Sequence, residues 1–134
     1  MDYEIAKQLA DGYCAYLMSG DRGVFTMFSE SFFDHVSGQF GLEIFQVVGK
    51  WMDTSLDQRS ADLHLVTHSD DTVVIWCTVR GRHISNGFPR LAGKQVKGNR
   101  IAWPQVHFFR IADDLVVEHW AVRDDVALLE SVEA

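Results

Sequence analysis

Several residue types that would constrain this chain are scarce. Only two prolines and two cysteines occur in 134 residues, which excludes a Pro-rich linker and a disulfide-dense scaffold. Cys14 and Cys77 lie in a predicted helix and a predicted strand, which favours buried free thiols in a reducing compartment over a disulfide or a catalytic thiol. Acidic residues outnumber basic residues, and the net charge of -7 argues against wholesale binding to nucleic acid or to anionic membranes.

Long apolar runs are also missing. No segment reaches about 18 consecutive apolar residues, the length at which a membrane-spanning helix is considered. The N-terminal stretch MDYEIAKQLADGY lacks a basic start followed by an apolar signal core, so we expect a cytoplasmic protein without membrane partners. At 47% apolar residues the chain can bury a sizeable core, and its length predicts a single domain, residues 1–134.

The hydrophobic periodicity indicates helices first and antiparallel strands afterwards. The predicted elements are helices at Tyr3–Ser19, after Asp21 and at Leu42–Met52, a short strand at Phe32–Val36, strands at Asp62–His68 and Thr72–His83, a C-terminal hairpin, and a closing helix at Asp125–Val132. This order is typical of an α+β domain in which a curved sheet packs on helices.

The clearest local pattern is a hairpin formed by AWPQVHFFRI and VVEHWAVRDD around a two-residue turn at Asp113–Asp114. Unbroken pairing from this turn places one set of facing residues on one sheet face. The facing pairs are Ile111–Val116, Phe109–Glu118, His107–Trp120, Gln105–Val122 and Trp103–Asp124. Ionisable groups at one end of an aromatic stripe indicate a pocket rather than a plain core face. A bulge or a one-residue slip would change this set.

Four stretches carry family-like motifs, namely Gly20-Asp21, DDTVVIWCTVRGRH, AGKQVKGN and FFRIADDLVVEHWAVRDD, of which the last is the most specific. Together they resemble the SnoaL-like polyketide cyclase family of the nuclear transport factor 2-like fold group. The chain departs from the family at Asp114, where a turn glycine is usual, and in SNGFPRL, which is longer and differently composed.

The resemblance implies a cone-shaped barrel in which a curved antiparallel sheet wraps around three N-terminal helices and encloses a pocket. It also implies cofactor-independent ring closure of a polyketide-like carbonyl compound by intramolecular aldol condensation, and a homodimer formed through the outer sheet face. The same fold group includes dehydratases, isomerases and non-catalytic proteins, so a dehydratase or isomerase and a non-catalytic binder of a hydrophobic small molecule stay open.

Asp124 is the residue that the resemblance matches to the family's general acid/base, near the end of the last strand. In the register above, Trp103 lies opposite Asp124 and provides a dry wall that suits proton transfer. The alternative is that Asp124 caps the final helix, because Asp before a short helix is a normal start signal.

Two histidines are predicted to assist catalysis. His107 lies on the same face and can donate to a substrate oxygen or share a proton with Asp124. His35 is expected at the pocket mouth, which turns Asp34 away from the pocket. His119 falls on the opposite face of the hairpin and is interpreted as an outer-face residue. Each of these histidines can instead be structural.

The remaining candidate residues are expected to shape the pocket and bind substrate, or else to belong to the core. These residues are Tyr13, Trp51, His83, Trp103, Gln105, Phe109 and Trp120. No metal site is expected, since His64 and His68 lie on one predicted strand about 13 Å apart.

Two surface features bear on partners. The segment 80–100 contains six basic and no acidic residues, namely Arg80, Arg82, Arg90, Lys94, Lys97 and Arg100. It is interpreted as a loop that either steers an anionic substrate or acyl carrier, or is neutralised by a second subunit. The expected dimer surface comprises Val74, Trp76, Val106, Phe108 and Val117.

Overall fold

The computed structural model describes residues 2–96 and 98–133. The helices are α1 (Tyr3–Ser19), α2 (Glu43–Ser55) and α3 (Asp125–Glu133), with short 3₁₀ helices at Gly23–Met27 and Pro89–Leu91. The strands are β1 (Phe28–Asp34), β2 (Gln39–Phe40), β3 (Leu56–Ser69), β4 (Thr72–His83), β5 (Arg100–Ala112) and β6 (Leu115–Arg123). None of the described helices combines the length and the apolarity that crossing a membrane requires.

The strands form one curved, unclosed sheet in the order β2-β1-β6-β5-β4-β3. The predicted α+β class is confirmed, but two details of the prediction are wrong. The sheet is mixed, because β1 runs parallel to β6. The second of the three predicted N-terminal helices is a 3₁₀ helix rather than an α-helix. The closing helix predicted at Asp125–Val132 is present as α3.

Helix α1 forms where its sequence predicts. Its apolar face is buried, and it lies against β3 and β4. The side chain of Asp2 accepts a hydrogen bond from the Ile5 N–H at 3.1 Å, which caps the N-terminus. Gly20 ends the helix in the left-handed conformation at φ 76°, which a residue with a Cβ adopts at a cost. Cys14 on this helix and Cys77 on β4 are both free thiols.

A layer of aromatic rings joins the helices to the sheet. Phe45 of α2 stacks on Phe25 with ring centroids 4.7 Å apart and meets Phe28 and Phe32 at 5.6 Å. The Tyr16 hydroxyl donates to the Phe45 carbonyl oxygen at 2.7 Å, so a buried polar group is paired within this layer. The layer therefore holds α2 against the 3₁₀ helix and β1.

The β5–β6 hairpin begins as predicted. Asp113 and Asp114 have φ of 52° and 61°, and two-residue hairpin turns with positive φ at both positions match the twist of the strands. Ile111 pairs with Val116 as expected.

Beyond Val116 the predicted register is wrong. Arg110 pairs with Glu118, so Val117 has no partner and forms a β-bulge. Unbroken pairing would bury Glu118 against Phe109, which is costly for an unpaired carboxylate. The bulge moves Glu118 to the outer face, where Arg110 forms an ion pair with it.

The bulge changes which residues of β6 face inwards. The inner face now carries Phe109 opposite His119, His107 opposite Ala121, and Gln105 opposite Arg123. Trp120, Val122 and Asp124 therefore leave the predicted pocket face. One inserted residue thus replaces every predicted inward residue of β6 beyond Val116, because side chains alternate along a strand.

The outer sheet face retains exposed apolar side chains. Trp76 is 46% exposed and Val122 is 67% exposed, while Val74, Val106, Phe108 and Val117 are half-buried. The homodimer expected through this face stays a prediction.

Candidate functional site

A cavity of about 620 Å³ lies between the inner face of the sheet and the helices. Its walls are largely apolar and include Leu17, Ile44, Phe45, Val48, Met52 and Leu128. Four polar side chains from the sheet also line it, namely Asp34, Gln105, His119 and Arg123. A mostly apolar cavity with a few convergent polar groups is the usual form of a small-molecule site.

The polar groups belong to a buried chain of hydrogen bonds. Asp34 Oδ1 lies 2.8 Å from His119 Nδ1, and His119 Nε2 lies 2.9 Å from His107 Nδ1. His107 Nε2 lies 2.8 Å from Gln105 Oε1. All four residues are at most 3% exposed. We call this chain the Asp34–Gln105 relay.

Backbone geometry places Asp34 beside His119. The two residues are direct partners in the parallel pairing of β1 with β6. After Asp34 the chain turns, and Ser37 donates to Asp34 Oδ2 through its backbone N–H at 3.1 Å and its hydroxyl at 2.7 Å. The carboxylate is thus held from both sides, which fixes the tautomer of His119 with a proton on Nδ1.

Burial sets the protonation of the relay. Burial opposes ionisation of Asp34, but hydrogen bonds from His119 and Ser37 outweigh it and hold the pKa of Asp34 below its ordinary value. Burial lowers the pKa of His119 despite the opposing effect of Asp34. Burial, reinforced by His119 and Arg123, holds the pKa of His107 well below its ordinary value. At neutral pH the relay therefore contains one carboxylate and two neutral imidazoles.

The orientation of the Gln105 amide depends on the number of protons that the relay holds. When both imidazoles are neutral, His119 Nε2 accepts from His107 Nδ1–H, so His107 Nε2 needs a donor and the Gln105 amide must present its NH₂ group. When Gln105 Oε1 occupies that place, His107 Nε2 carries a proton and the relay holds one proton more. For the neutral relay the Gln105 amide is therefore assigned with its NH₂ group, rather than Oε1, towards His107 Nε2.

Two further donors line the cavity. The Tyr13 ring lies 4.7 Å from the ring centroid of His107, and burial raises the pKa of its hydroxyl well above the ordinary value, so the hydroxyl stays protonated. Trp103 is 6% exposed, and its Nε1–H has no hydrogen-bond partner among the residues that the structure describes. A buried donor without a partner is costly unless a ligand or water accepts from it.

The SnoaL-like polyketide cyclase model matches residues 19–132 of the sequence. This chain belongs to that family. No curated protein sequence matches the chain significantly. The family predicted from the sequence motifs is therefore confirmed.

Solved structures share the fold of this SnoaL-like protein. TsrD from Streptomyces laurentii has a TM-score of 0.83 at 20% identity and covers 100% of this chain and 98% of its own. IdmH from Streptomyces antibioticus, a proposed polyketide cyclase, has a TM-score of 0.75 at 19% identity with 96% and 99% coverage. AclR from Streptomyces galilaeus, a proposed hydroxylase, has a TM-score of 0.78 at 21% identity with 98% and 97% coverage. These likenesses show the fold alone.

Four of the side chains predicted to bind substrate line the cavity of the SnoaL-like domain. They are Tyr13, Trp51, Trp103 and Gln105. His107 lies on the inner face behind this surface, where Tyr13 covers it. The structure thus brings the predicted β5 residues together with the predicted helix residues, while their roles stay predictions.

The predicted placement of Asp124 on the pocket face is wrong. Its side chain is turned towards α3, where Asp124 Oδ1 accepts from the Ala127 N–H at 3.0 Å and caps the helix. The bulge at Val117 is the cause, because Arg123 takes the inward position. The alternative interpretation of Asp124 as a helix cap describes what the structure contains.

His35 and Trp120 lie on the outer face, opposite the predicted side. Their rings stack with centroids 4.3 Å apart and an interplanar angle of 7°. His35 Nε2 lies 2.6 Å from Glu118 Oε2. Phe32 is fully buried, and strand alternation turns Asp34 inwards with it and places His35 outside. The predicted orientations of His35 and Asp34 are therefore both reversed.

His83 and Phe109 are buried but do not line the cavity. His83 Nε2 lies 2.8 Å from Ser131 Oγ of α3, which covers the predicted mouth position. Phe109 is fully buried beneath Tyr13, at a centroid distance of 5.0 Å. Both are core residues, so their predicted contact with substrate is not supported by their positions.

The sequence interpretation missed Asp34, His119 and Arg123 as cavity residues. One signal was available in the sequence. Unbroken pairing from the turn put Glu118 on the buried face, which should have suggested a bulge. A single bulge brings both His119 and Arg123 inwards.

The basic segment is largely neutralised within this chain. Arg80 and Arg82 lie on β4 rather than in a loop, and they form ion pairs with Asp62 at 2.7 Å and with Asp57 at 2.5 Å. The arginine at the cavity mouth, Arg90, pairs with a carboxylate of α3 at 2.9 Å. Arg100 donates to Gln58 at 2.8 Å, and Lys97 lies outside the described residues. Arg80, Arg82 and Arg90 are thus paired with carboxylates of the same chain, while a role for the segment in steering a substrate or meeting a second subunit stays a prediction.

The neutral histidines predict acid-sensitive stability. Unfolded histidines bind protons below pH ~6.5, whereas His107 and His119 in the folded protein resist protonation. The free energy of unfolding is therefore greatest above this pH. It falls as the pH drops below it, by about 1.4 kcal/mol per pH unit for each histidine. His83, whose pKa burial also lowers, acts in the same direction. Urea titrations at pH 7.5, 6.5 and 5.5 measure the slope.

A His107→Gln variant provides the control for this slope. It removes one titrating group. The slope of the free energy of unfolding against pH should therefore decrease by about the contribution of one histidine. Equal stability of the unmodified protein at pH 7.5 and pH 5.5 would contradict neutral, buried histidines.

Proposed function

We propose that this SnoaL-like protein catalyses proton transfer at a carbon beside a carbonyl in a mid-sized, partly apolar substrate. The observation that carries the proposal is a neutral histidine, His119, that is oriented by a buried carboxylate and lines a largely apolar cavity. A general base must be unprotonated at the working pH, and a fixed tautomer determines which ring nitrogen can accept the proton. Asp34 provides the fixed tautomer, and burial provides the low pKa.

The cavity also offers donors for the carbonyl oxygen. Removal of the α-proton creates an enolate whose negative charge rests mainly on oxygen, and hydrogen-bond donors stabilise that charge in a dry site. The Tyr13 hydroxyl and the Trp103 indole N–H are both cavity groups suited to this role. An enolate so formed can attack a second carbonyl, which is the aldol ring closure that membership of the cyclase family favours.

Proton uptake involves the rest of the relay. His119 Nε2 accepts from His107 in the ligand-free state, so a substrate must displace that contact to deliver its proton directly. His107 acts as a positioning residue, because it lies between His119 and Gln105 and holds the His119 ring in place through its Nδ1. The Asp34 carboxylate then faces a cationic imidazole, which it stabilises.

The second candidate is a non-catalytic binding protein. The specific observation in its favour is that both nitrogens of His119 are already paired. In that case the relay is a rigid polar support for the cavity wall, and a hydrophobic ligand would bind without losing a proton. A dehydratase or an isomerase would use the same proton transfer as the cyclase, so it shares the first proposal's test.

Exchange of α-protons tests the proposal without the natural substrate. We expect the protein to accelerate deuterium incorporation into 1-(2-naphthyl)propan-2-one in D₂O, followed by NMR, by about 10²-fold or more over buffer. The rate should rise with pH through an ionisation below about 6.5 and then level off, because neutral His119 is the base. Tight binding of the ketone with exchange at the buffer rate would favour the binding protein.

A further inference from the structure

Arg123 brings a positive charge to the wall of the cavity. It is the last residue of β6, pairs with Gln105, and lines the cavity. Its charge acts on interior groups: burial raises the pKa of Tyr13 and Arg123 opposes that shift, whereas burial lowers the pKa of His119 and Arg123 lowers it further. The guanidinium therefore belongs to the interior rather than to the outer surface.

No described carboxylate lies within ion-pairing distance of Arg123. The two carboxylates that line the cavity, Asp125 and Asp34, have other partners. Asp125 pairs with Arg90 at 2.9 Å, and Asp34 is held by His119 and by the turn that follows it. A half-buried guanidinium that lacks a counter-ion pays a desolvation penalty that an anionic ligand would offset.

Trp103 offers a second donor beside Arg123. Trp103 lies two residues before Gln105 on the same face of β5, and Gln105 is the direct partner of Arg123. Trp103 and Arg123 are therefore diagonal neighbours, about 7–8 Å apart in the sheet. The indole Nε1–H has no partner among the described residues. An anion placed between the two side chains can accept from both.

We propose that Arg123 and Trp103 bind an ionised carboxylate of the substrate. An arginine presents a planar fork that fits a carboxylate through two hydrogen bonds, and the indole N–H supplies a third donor. The assignment of a substrate class from this carboxylate site rests on the proposed proton-transfer function. It narrows the substrate from a carbonyl compound to a keto acid or another carbonyl compound that carries a free acid group.

The strand sets the spacing between anion and reacting carbon. Arg123 and His119 lie four residues apart on the inner face of β6, so their Cα atoms are about 13 Å apart. Ala121, the small side chain between them, leaves room along the cavity wall. A substrate must therefore extend along β6, with its acid group near Trp103 and its acidic C–H near His119.

Paired probes test the carboxylate site. We expect 2-naphthoate to bind with a Kd at least tenfold lower than that of its neutral isostere 2-naphthamide, measured by isothermal titration calorimetry. Arg123→Gln should abolish this preference, because it removes the charge and leaves a neutral amide. Trp103→Phe should weaken the binding of 2-naphthoate several-fold and leave the binding of 2-naphthamide nearly unchanged.

Two controls make the outcome decisive. Arg80→Gln removes the same charge from the outer face and should retain the preference. Arg123→Lys keeps the charge without the fork and should retain part of it, which covers the case in which Arg123→Gln fails to fold. Equal binding of the two probes, an unchanged preference in Arg123→Gln, or no binding of 2-naphthoate at millimolar concentration overturns the carboxylate site.

The same titrations separate this inference from the proposed function. His119→Gln should keep the preference for 2-naphthoate, since His119 takes no part in binding the anion. A preference for 2-naphthoate in a protein that accelerates no α-proton exchange would refute catalysis and leave the anion site standing. Accelerated α-proton exchange without a preference for 2-naphthoate would refute the anion site and leave the proposed catalysis standing.

Discussion

Replacement of His119 by glutamine should lower the α-proton exchange rate of 1-(2-naphthyl)propan-2-one by about 10²–10⁴-fold. This range is the usual contribution of one positioned acid/base group. Glutamine can still accept a hydrogen bond from His107, but it cannot accept a proton at neutral pH. The loss should appear in kcat rather than in KM, because the apolar walls that bind the ketone are unchanged.

Asp34→Asn extends this test to the orientation of His119. The amide retains the shape of the carboxylate but loses the charge that stabilises a protonated His119 and fixes its tautomer. Exchange should fall in this variant too, and the pH at which the rate levels off should move. His35→Gln is the matched control, since His35 lies on the outer face and should leave the rate unaltered. A His119→Gln variant that retains the unmodified rate would leave the relay without a catalytic role.

Truncation of Phe109 should have the largest effect on stability. Phe109 is fully buried and lies within 5.0 Å of Tyr13 and 4.8 Å of His119, centroid to centroid. Phe109→Ala removes most of a core ring and should cost about 3–5 kcal/mol, which approaches the whole stability of a small domain. Urea unfolding monitored by tryptophan fluorescence measures this loss.

Phe40→Ala is the matched control for the core truncation. Phe40 is 76% exposed on the edge strand β2, so its removal should change the free energy of unfolding by no more than about 0.5 kcal/mol. Phe109→Leu should fall between the two variants, because leucine refills part of the space. A cost below about 1 kcal/mol for Phe109→Ala would mean that the ring contacts ligand space rather than core.

Local signals in the sequence predicted much of the fold. Helix Tyr3–Ser19 and strand Thr72–His83 begin and end where the amphipathic pattern, Gly20 and the Asp70–Asp71 turn indicate. Such features depend on the residues of one element and its immediate neighbours, so they can be interpreted without knowing the fold. The turn at Asp113–Asp114 belongs to the same class.

The candidate site depends on two features that are not local. The parallel pairing of β1 with β6 joins residues 85 positions apart and decides that Asp34 meets His119. The bulge at Val117 decides which residues of β6 face the cavity. Residues on β5 were predicted well, because Trp103, Gln105 and His107 keep their alternation. Residues on β6 were predicted poorly, because the prediction continued the alternation across the bulge at Val117.

A mutagenesis library aimed at the cavity would depend on the bulge. Alternation counted from the hairpin turn selects even-numbered positions of β6, such as Trp120 and Val122, which face outwards. The odd-numbered positions from His119 onwards face inwards. A library built on simple alternation would therefore diversify the wrong side of the sheet. Its variants would differ in the outer surface of the sheet, and the walls of the cavity would stay those of the parent.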